Sequence, residues 1–140
     1  MTLQANKYTV TGIELHGRTD FEGMRAAGKL AAETLDMITD HVVPGVTTEE
    51  LDEICNKYIT KNGAIPAPLN YKGFPKSICT SINHVVCHGI PERRSLVEGD
   101  ILNIDVTVIL NGWHGDTSRM YFVGDKIPVK ARKLCDVTYD

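Results

Sequence analysis

Along the first half of the chain, apolar residues recur at the three-and-four spacing of amphipathic helices. Phe21, Met24, Ala27, Ala31, Leu35, Ile38 and Val42 form one stripe, and Pro44-Gly45 stops it. Thr19-Asp20-Phe21-Glu22 reads as the capping box that starts this helix, with Glu22 three residues after the Thr19 cap. A second helix opens behind Thr47, with Glu50 as its capping partner and Val46 placed to staple onto Leu51. Leu51, Ile54, Cys55, Tyr58 and Ile59 share one face, and Asn62-Gly63 ends the run. Each helix carries an apolar stripe that a sheet or another helix has to cover. Residues 1–18, ahead of the first helix, lack a period and are expected to form a lightly packed arm.

The pattern then changes. Ile65-Pro66-Ala67-Pro68 opens a loop that runs through Tyr71, Gly73, Phe74 and Pro75. Ile78 to Cys87 is rich in β-branched and small residues and predicts a strand or two, before Gly89-Ile90-Pro91 turns the chain. Ile101 to Leu110 and Trp113 to Val123 flank Asn111-Gly112, the pattern of a two-residue hairpin. A third helix is expected from Pro128 onward, with the proline near its first turn.

With Asn111 and Gly112 as the loop, partners across the hairpin sum to 223, so Asp105 faces Ser118 and Thr107 faces Asp116. Residues two apart share a face, which makes Asp105 and Asp116 diagonal neighbours, with Cβ atoms about 7 Å apart. Both carboxylates then reach one hard cation or a cation pair. The opposite face, Ile104, Val106, Val108, Leu110 and Trp113, reads as core. The same alternation also describes a half-exposed hairpin with its polar side in water. Two details favour a site. Aspartate is depleted inside strands, yet Asp105 interrupts an apolar run. Asn103, Thr107, His114 and Ser118 share its face and are suited to orient ligating oxygens. His88 closes the strand-like segment. Cys87 beside it is expected to point to the opposite face of that strand, so the two do not form a nucleophile pair. Tyr71, Phe74 and Cys79 are candidates for an apolar pocket wall.

Composition narrows the class. A net charge of −3, from 15 basic and 18 acidic side chains, gives no electrostatic footprint for nucleic acid or anionic lipid. No apolar run has the length of a membrane span. The four cysteines contain no C-x-x-C pair and are expected to be reduced thiols of a cytoplasmic protein, not a zinc site or a disulfide framework. At 140 residues, a single domain is expected.

Four motifs, in order, carry a resemblance. Asn70-Tyr71-Lys72-Gly73-Phe74-Pro75-Lys76-Ser77, Val85-Val86-Cys87-His88-Gly89-Ile90-Pro91, Asn103-Ile104-Asp105-Val106-Thr107-Val108 and His114-Gly115-Asp116-Thr117-Ser118 together resemble the N-terminal half of bacterial-type type 1 methionine aminopeptidases. The likeness runs from about Phe21 to the end of the chain. It implies an α+β architecture, the N-terminal half of the pita-bread fold, with amphipathic helices on a curved antiparallel sheet. It implies removal of the initiator methionine from nascent polypeptides whose second residue is small, in the cytoplasm. Nascent N-termini are then the partners, with the ribosome as a further candidate and neither nucleic acid nor membrane bound directly. Two divalent metal ions are implied, of Co, Mn, Fe or Zn, the oxygen-rich ligands not deciding which. Asp105 matches the first carboxylate ligand and Asp116 the carboxylate that bridges both metals. His88 matches the catalytic histidine that hydrogen-bonds the substrate near the scissile amide. Tyr71, Phe74 and Cys79 match the wall of the methionine pocket.

The chain also departs from the family pattern. The full ligand set continues with a histidine and two glutamates, and beyond Asp116 this sequence has neither residue type. Residues 1–140 are therefore expected to form a single partial catalytic domain, the N-terminal half of a longer enzyme. Taken alone, they are expected to lack appreciable peptidase activity and to be poorly stable as a monomer. His84 stands where many members have glutamate, and Pro68 where some have a pocket cysteine. Three other readings compete with this one. A proline-directed peptidase of the same fold is disfavoured by Tyr71-Lys72-Gly73-Phe74 and His88-Gly89-Ile90-Pro91. A non-enzymatic binding relative is disfavoured by the intact aspartate pair. A natural half-protein completed by a partner stays open.

Overall fold

In the structure, a computed structural model that describes residues 8–140, three helices and four antiparallel strands follow the expected order, except that Ile65–Pro66, expected to open a loop, is a short strand because it pairs with Ile109 and Val108. Helix α1 is Arg18–Ile38 and α2 is Thr48–Lys61. Strands β1 (Ile65–Pro66), β2 (Cys79–Ile82), β3 (Ile101–Leu110) and β4 (Trp113–Phe122) form one sheet, and α3 (Val129–Tyr139) follows it. Residues 1–7 of the expected arm lie outside the described residues. The remainder, up to Gly17, forms a short bridge between Tyr8 and Glu14, closed by the Thr9 N–H donating to the Ile13 carbonyl at 2.8 Å, and His16 packs edge-on against Trp113.

The start of α1 differs from the sequence expectation. Its cap is Gly17, not Thr19, and the Asp20 carboxylate accepts the Gly17 N–H at 2.8 Å. Threonine 19 therefore lies inside the first turn. The N-terminal end of the stripe is also less buried than its spacing suggests: Phe21 and Met24 are half exposed, while Ala27, Leu30, Ala31, Leu35 and Ile38 are buried. Helix α2 starts as expected. The Thr47 hydroxyl accepts the Glu50 N–H at 3.1 Å, and Glu50 accepts the Thr47 N–H at 2.8 Å. Asn62 caps its end, and Gly63, at φ +77°, redirects the chain.

β3 is the centre of the sheet. β4 pairs along its whole length on one side, with Asp105 opposite Ser118 and Thr107 opposite Asp116, as the two-residue loop requires. Asn111 and Gly112 both have positive φ, 50° and 84°, the backbone that a tight right-twisting hairpin demands. The other edge of β3 is shared end to end. β2 covers Leu102 to Asp105, and β1 covers Val108 and Ile109. The expected strand Ile78–Cys87 is shorter than its composition suggests. Asn83 adopts φ +51°, its amide oxygen accepts the Ile101 N–H at 3.0 Å, and its NH2 donates to Asp100 at 2.7 Å. That clamp ends β2 at Ile82, so Cys87 and His88 lie in a loop and the opposite-face argument for them does not apply.

Helices α1 and α2 cover the even-numbered face of β3, where Leu102, Ile104, Val106 and Val108 are buried against Leu35, Ile38, Leu51, Cys55 and Ile59. Each fully buried Leu or Ile contributes about 1.5–3 kcal/mol. The half-exposed Arg119–Asp36 pair, at 2.8 Å, contributes at most about 1 kcal/mol. The apolar stripe therefore fixes α1 on the sheet, and the Tyr121 hydroxyl, donating to the Leu35 carbonyl at 2.7 Å, sets its register. The far edge of β4 has no partner strand among the described residues, and Leu134, Val137 and Tyr139 of α3 are exposed. No helix among the described residues is long and apolar enough to cross a membrane.

Candidate active site

The face of the hairpin that carries the odd-numbered residues of β3 and the even-numbered residues of β4 builds the site. Asp105, Thr107 and Ile109 of β3 and His114 and Asp116 of β4 all line one open cleft of about 820 Å3. Above them passes the segment that joins β1 to β2. It leaves the sheet at Ala67, whose N–H donates to the Thr107 carbonyl at 2.9 Å, and returns at Cys79, which pairs with Asp105. Because both ends are fixed to the carboxylate-bearing stretch of β3, Tyr71 and Phe74 in between form a wall beside the carboxylates. A tight turn shapes that wall: the Asn70 N–H donates to the Phe74 carbonyl at 2.8 Å, and the Phe74 N–H to the Tyr71 carbonyl at 2.9 Å.

His88 completes the lining from the loop after β2. Its φ of +53° is left-handed, a conformation that costs a non-glycine residue about 1–3 kcal/mol and concentrates at functional sites. Gly89 holds it there. The Gly89 carbonyl accepts the Thr80 N–H at 2.8 Å, and its N–H donates to the Ser81 hydroxyl at 3.2 Å. A Cβ on residue 89 would collide with the Thr80 carbonyl, so only glycine allows this approach.

All six residues singled out from the sequence, Tyr71, Phe74, Cys79, His88, Asp105 and Asp116, thus line the same cleft. Of the four orienting candidates, Thr107 and His114 join the lining, while Asn103 and Ser118 do not. Ile109 and the anchor Ala67 were missed. Ile109 was within reach of the alternation argument, being two residues beyond Thr107 on the same face. Nothing in the local pattern pairs β1 with it.

The electrostatics suit a cation. Asp105 is half buried, and burial, the charge of Asp116 adding to it, raises its carboxyl above the usual range, against the pull of His88. Neither carboxylate meets a hydrogen-bond donor or a paired cation among the described residues. Two like charges converging in a cleft without a donor are a strained arrangement that a hard divalent ion relieves. These oxygens supply part of a coordination shell: no three His, Cys, Asp or Glu side chains are gathered around one point among the described residues. The cysteines do not compete. Burial, with the Asp105 charge next in weight, pushes the Cys79 thiol up to about 11, and burial pushes Cys55 to about 12. All four thiols are free, with Cys87 exposed and Cys135 half buried.

A further residue supports the wall from behind. Asp52 of α2 is buried, and its Oδ1 accepts the Ser77 N–H at 2.7 Å and the Ile78 N–H at 3.0 Å, just before β2. Asn56 donates to the Ser77 hydroxyl at 2.7 Å, and Lys76 donates to Glu49 at 2.8 Å. Asp52→Ala strands two backbone donors and is expected to cost about 2–4 kcal/mol in urea denaturation. Burial outweighs those donors and the nearby Lys76, raising the Asp52 carboxyl above its ordinary 3.8. The folded state therefore holds this proton more tightly than the unfolded one. The resulting stabilisation is complete below the ordinary value and is lost as pH rises through the folded one. Stability of the wild type relative to Asp52→Asn is accordingly expected to fall as pH rises from acid towards neutrality, in chemical denaturation at a series of pH values.

Comparison with known proteins agrees with this geometry. The model of metallopeptidase family M24 matches residues 22–140, and the chain belongs to that family. It is 69% identical over 128 residues to a methionine aminopeptidase of Rickettsia prowazekii, covering 91% of this chain and 49% of that protein. The crystal structure of methionine aminopeptidase from Rickettsia prowazekii superposes with a TM-score of 0.89 at 68% identity, covering 91% of this chain and 51% of that one. An Xaa-Pro dipeptidase from Bacillus anthracis superposes with a TM-score of 0.75 at 16% identity, over 89% of this chain and 34% of that one, a likeness of fold alone. The chain spans about half the length of the curated relatives it matches. Its α+β architecture is that of the pita-bread fold, as the sequence resemblance implied.

Proposed function

We propose that this chain supplies the methionine-pocket side and two metal ligands of a methionine aminopeptidase acting on nascent polypeptides in the cytoplasm. The observation that carries the reading is the convergence of Asp105 and Asp116, without donors, in the cleft walled by Tyr71, Phe74 and Cys79. Divalent ions bound there would activate water and polarise the scissile carbonyl. Asp105, set between Cys79 and Ser118 in the sheet, fixes where the reacting end of the peptide lies relative to the pocket wall. Tyr71, Phe74 and the protonated Cys79 thiol offer an apolar, polarisable surface to an unbranched thioether side chain. His88, held at the rim by Gly89, donates a hydrogen bond near the scissile amide as the tetrahedral centre forms.

Two aspartates hold a metal pair weakly in water, so the polypeptide of residues 1–140 by itself is expected to release no methionine. The complete gene product, given Mn or Co, is expected to release it from Met-Ala-Ser and to leave Ala-Pro peptides intact. Amino-acid analysis of the two digests decides. Cleavage of Ala-Pro with no action on Met-Ala-Ser would transfer the assignment to a proline-directed peptidase of the same fold.

A further inference from the structure

The charges of the cleft are arranged in an order that the reading above does not use. Asp105 and Asp116 are the two carboxylates in its lining, and Lys72 is the one permanently charged cation there among the described residues. Lys72 belongs to the turn Tyr71–Gly73, between Asn70 at φ +67° and Gly73 at φ +84°, and is itself left-handed at φ +48°. The hydrogen bonds that close this turn hold its backbone in place, so the side chain is presented by a fixed loop and not by a wandering one. Its Nζ stands 5.4 Å from the centroid of the Tyr71 ring, on the pocket wall itself.

Lys72 has no carboxylate partner among the described residues. Four residues on, Lys76 shows the contrast, its ammonium neutralised by Glu49 at 2.8 Å. The exposed Lys72 ammonium therefore keeps its charge for something that enters the cleft. A peptide whose amino end lies at the carboxylates shares the cleft with the Lys72 side chain.

We propose that Lys72 is a specificity residue that favours peptides carrying a carboxylate just downstream of the residue removed. The inference rests on the proposed aminopeptidase reading, which sets the direction of the peptide. The carboxylate is that of an Asp or Glu side chain or of the C-terminus of a short peptide, which offer the same chemistry to an ammonium. An exposed ion pair of this kind is worth about two- to fivefold in binding, and it weakens at high ionic strength.

The test compares Met-Ala-Asp-amide with the near-isosteric Met-Ala-Asn-amide, using the complete, metal-loaded gene product. Met-Ala-Asn with a free C-terminus isolates the terminal carboxylate. The acidic amide is expected to be favoured about two- to fivefold in kcat/KM at low salt. That ratio should fall towards one at high salt and in Lys72→Gln, invert in Lys72→Glu, and survive in Lys72→Arg. A preference confined to the free C-terminus assigns Lys72 to the ends of short peptides. Equal use of all three by the wild type, or a preference that Lys72→Gln leaves intact, would overturn the proposal. Turnover of the neutral amide reports separately on the aminopeptidase reading. Should no peptide be cleaved, displacement of a fluorescent Met-Ala peptide by the same three ligands gives the same ratio from binding.

Discussion

Asp116→Asn in the complete protein is expected to lower kcat/KM on Met-Ala-Ser by at least about a hundredfold, since losing even the partners that support metal ligands costs 10–100-fold. The carboxylate sits opposite Thr107 and diagonal to Asp105, and the cleft lining holds no third carboxylate among the described residues to replace it. Its fold should not suffer. Asp116 is exposed, receives no hydrogen bond among the described residues, and repels Asp105. Removing its charge leaves the metal-free protein as stable as the wild type or slightly more so. Paired activity and thermal-unfolding measurements check this. Full activity in Asp116→Asn would remove the aspartate pair from the chemistry, and a lowered melting temperature without metal would give Asp116 a structural role.

Gly115→Ala is expected to have the opposite signature, a large loss of stability from a residue that carries no chemistry. Gly115 pairs with Val108 and turns to the core face, where α1 crosses β4. A Cβ there would lie inside the Ala27 carbonyl and against the Gly28 nitrogen. Those atoms are helix backbone and cannot rotate aside as a side chain would. Helix α1 would have to lift from the sheet, loosening the packing of Leu35 and Ile38 on β3 and straining the Tyr121–Leu35 hydrogen bond. Overpacking of this kind costs about 3 kcal/mol or more when backbone is the obstacle. Urea denaturation of the complete protein reads it directly. A change below about 0.5 kcal/mol, the scale of an indifferent surface substitution, would show that α1 does not lie as close to β4 as described.

Asp105 and Asp116 were legible for one reason. Asn111-Gly112 fixes the loop at two residues, the loop fixes the register, and the register fixes which side chains share a face. From that point Asp105 and Asp116 follow by counting. Sequence reasoning failed where two local choices are equally acceptable or where a distant residue settles one. Thr19 and Gly17 are both acceptable helix starts, and the reach of Asp20 back to the Gly17 N–H decides between them. Ile78 to Cys87 has strand composition throughout, yet the hydrogen bonds that Asn83 donates to Asp100 and accepts from the Ile101 N–H halt the strand at Ile82. The same halt puts His88 in a left-handed loop conformation that no periodicity displays. Asp52 was invisible for a related cause. On a helix of charged residues it resembles its exposed neighbours, and only the fold brings Ser77 and Ile78 to it. The roles of His88 and of the pocket wall came from resemblance; the geometry added where these side chains stand.

The central claim is that Asp105 and Asp116 hold the metal on which this cleft acts. Anomalous diffraction from crystals of the complete protein grown with Mn tests it with the fewest assumptions. The account predicts a peak within coordination distance, about 2.0–2.6 Å, of carboxylate oxygens from both aspartates, beside the Cys79 wall. A fully loaded protein whose peaks all lie away from that pair would contradict it.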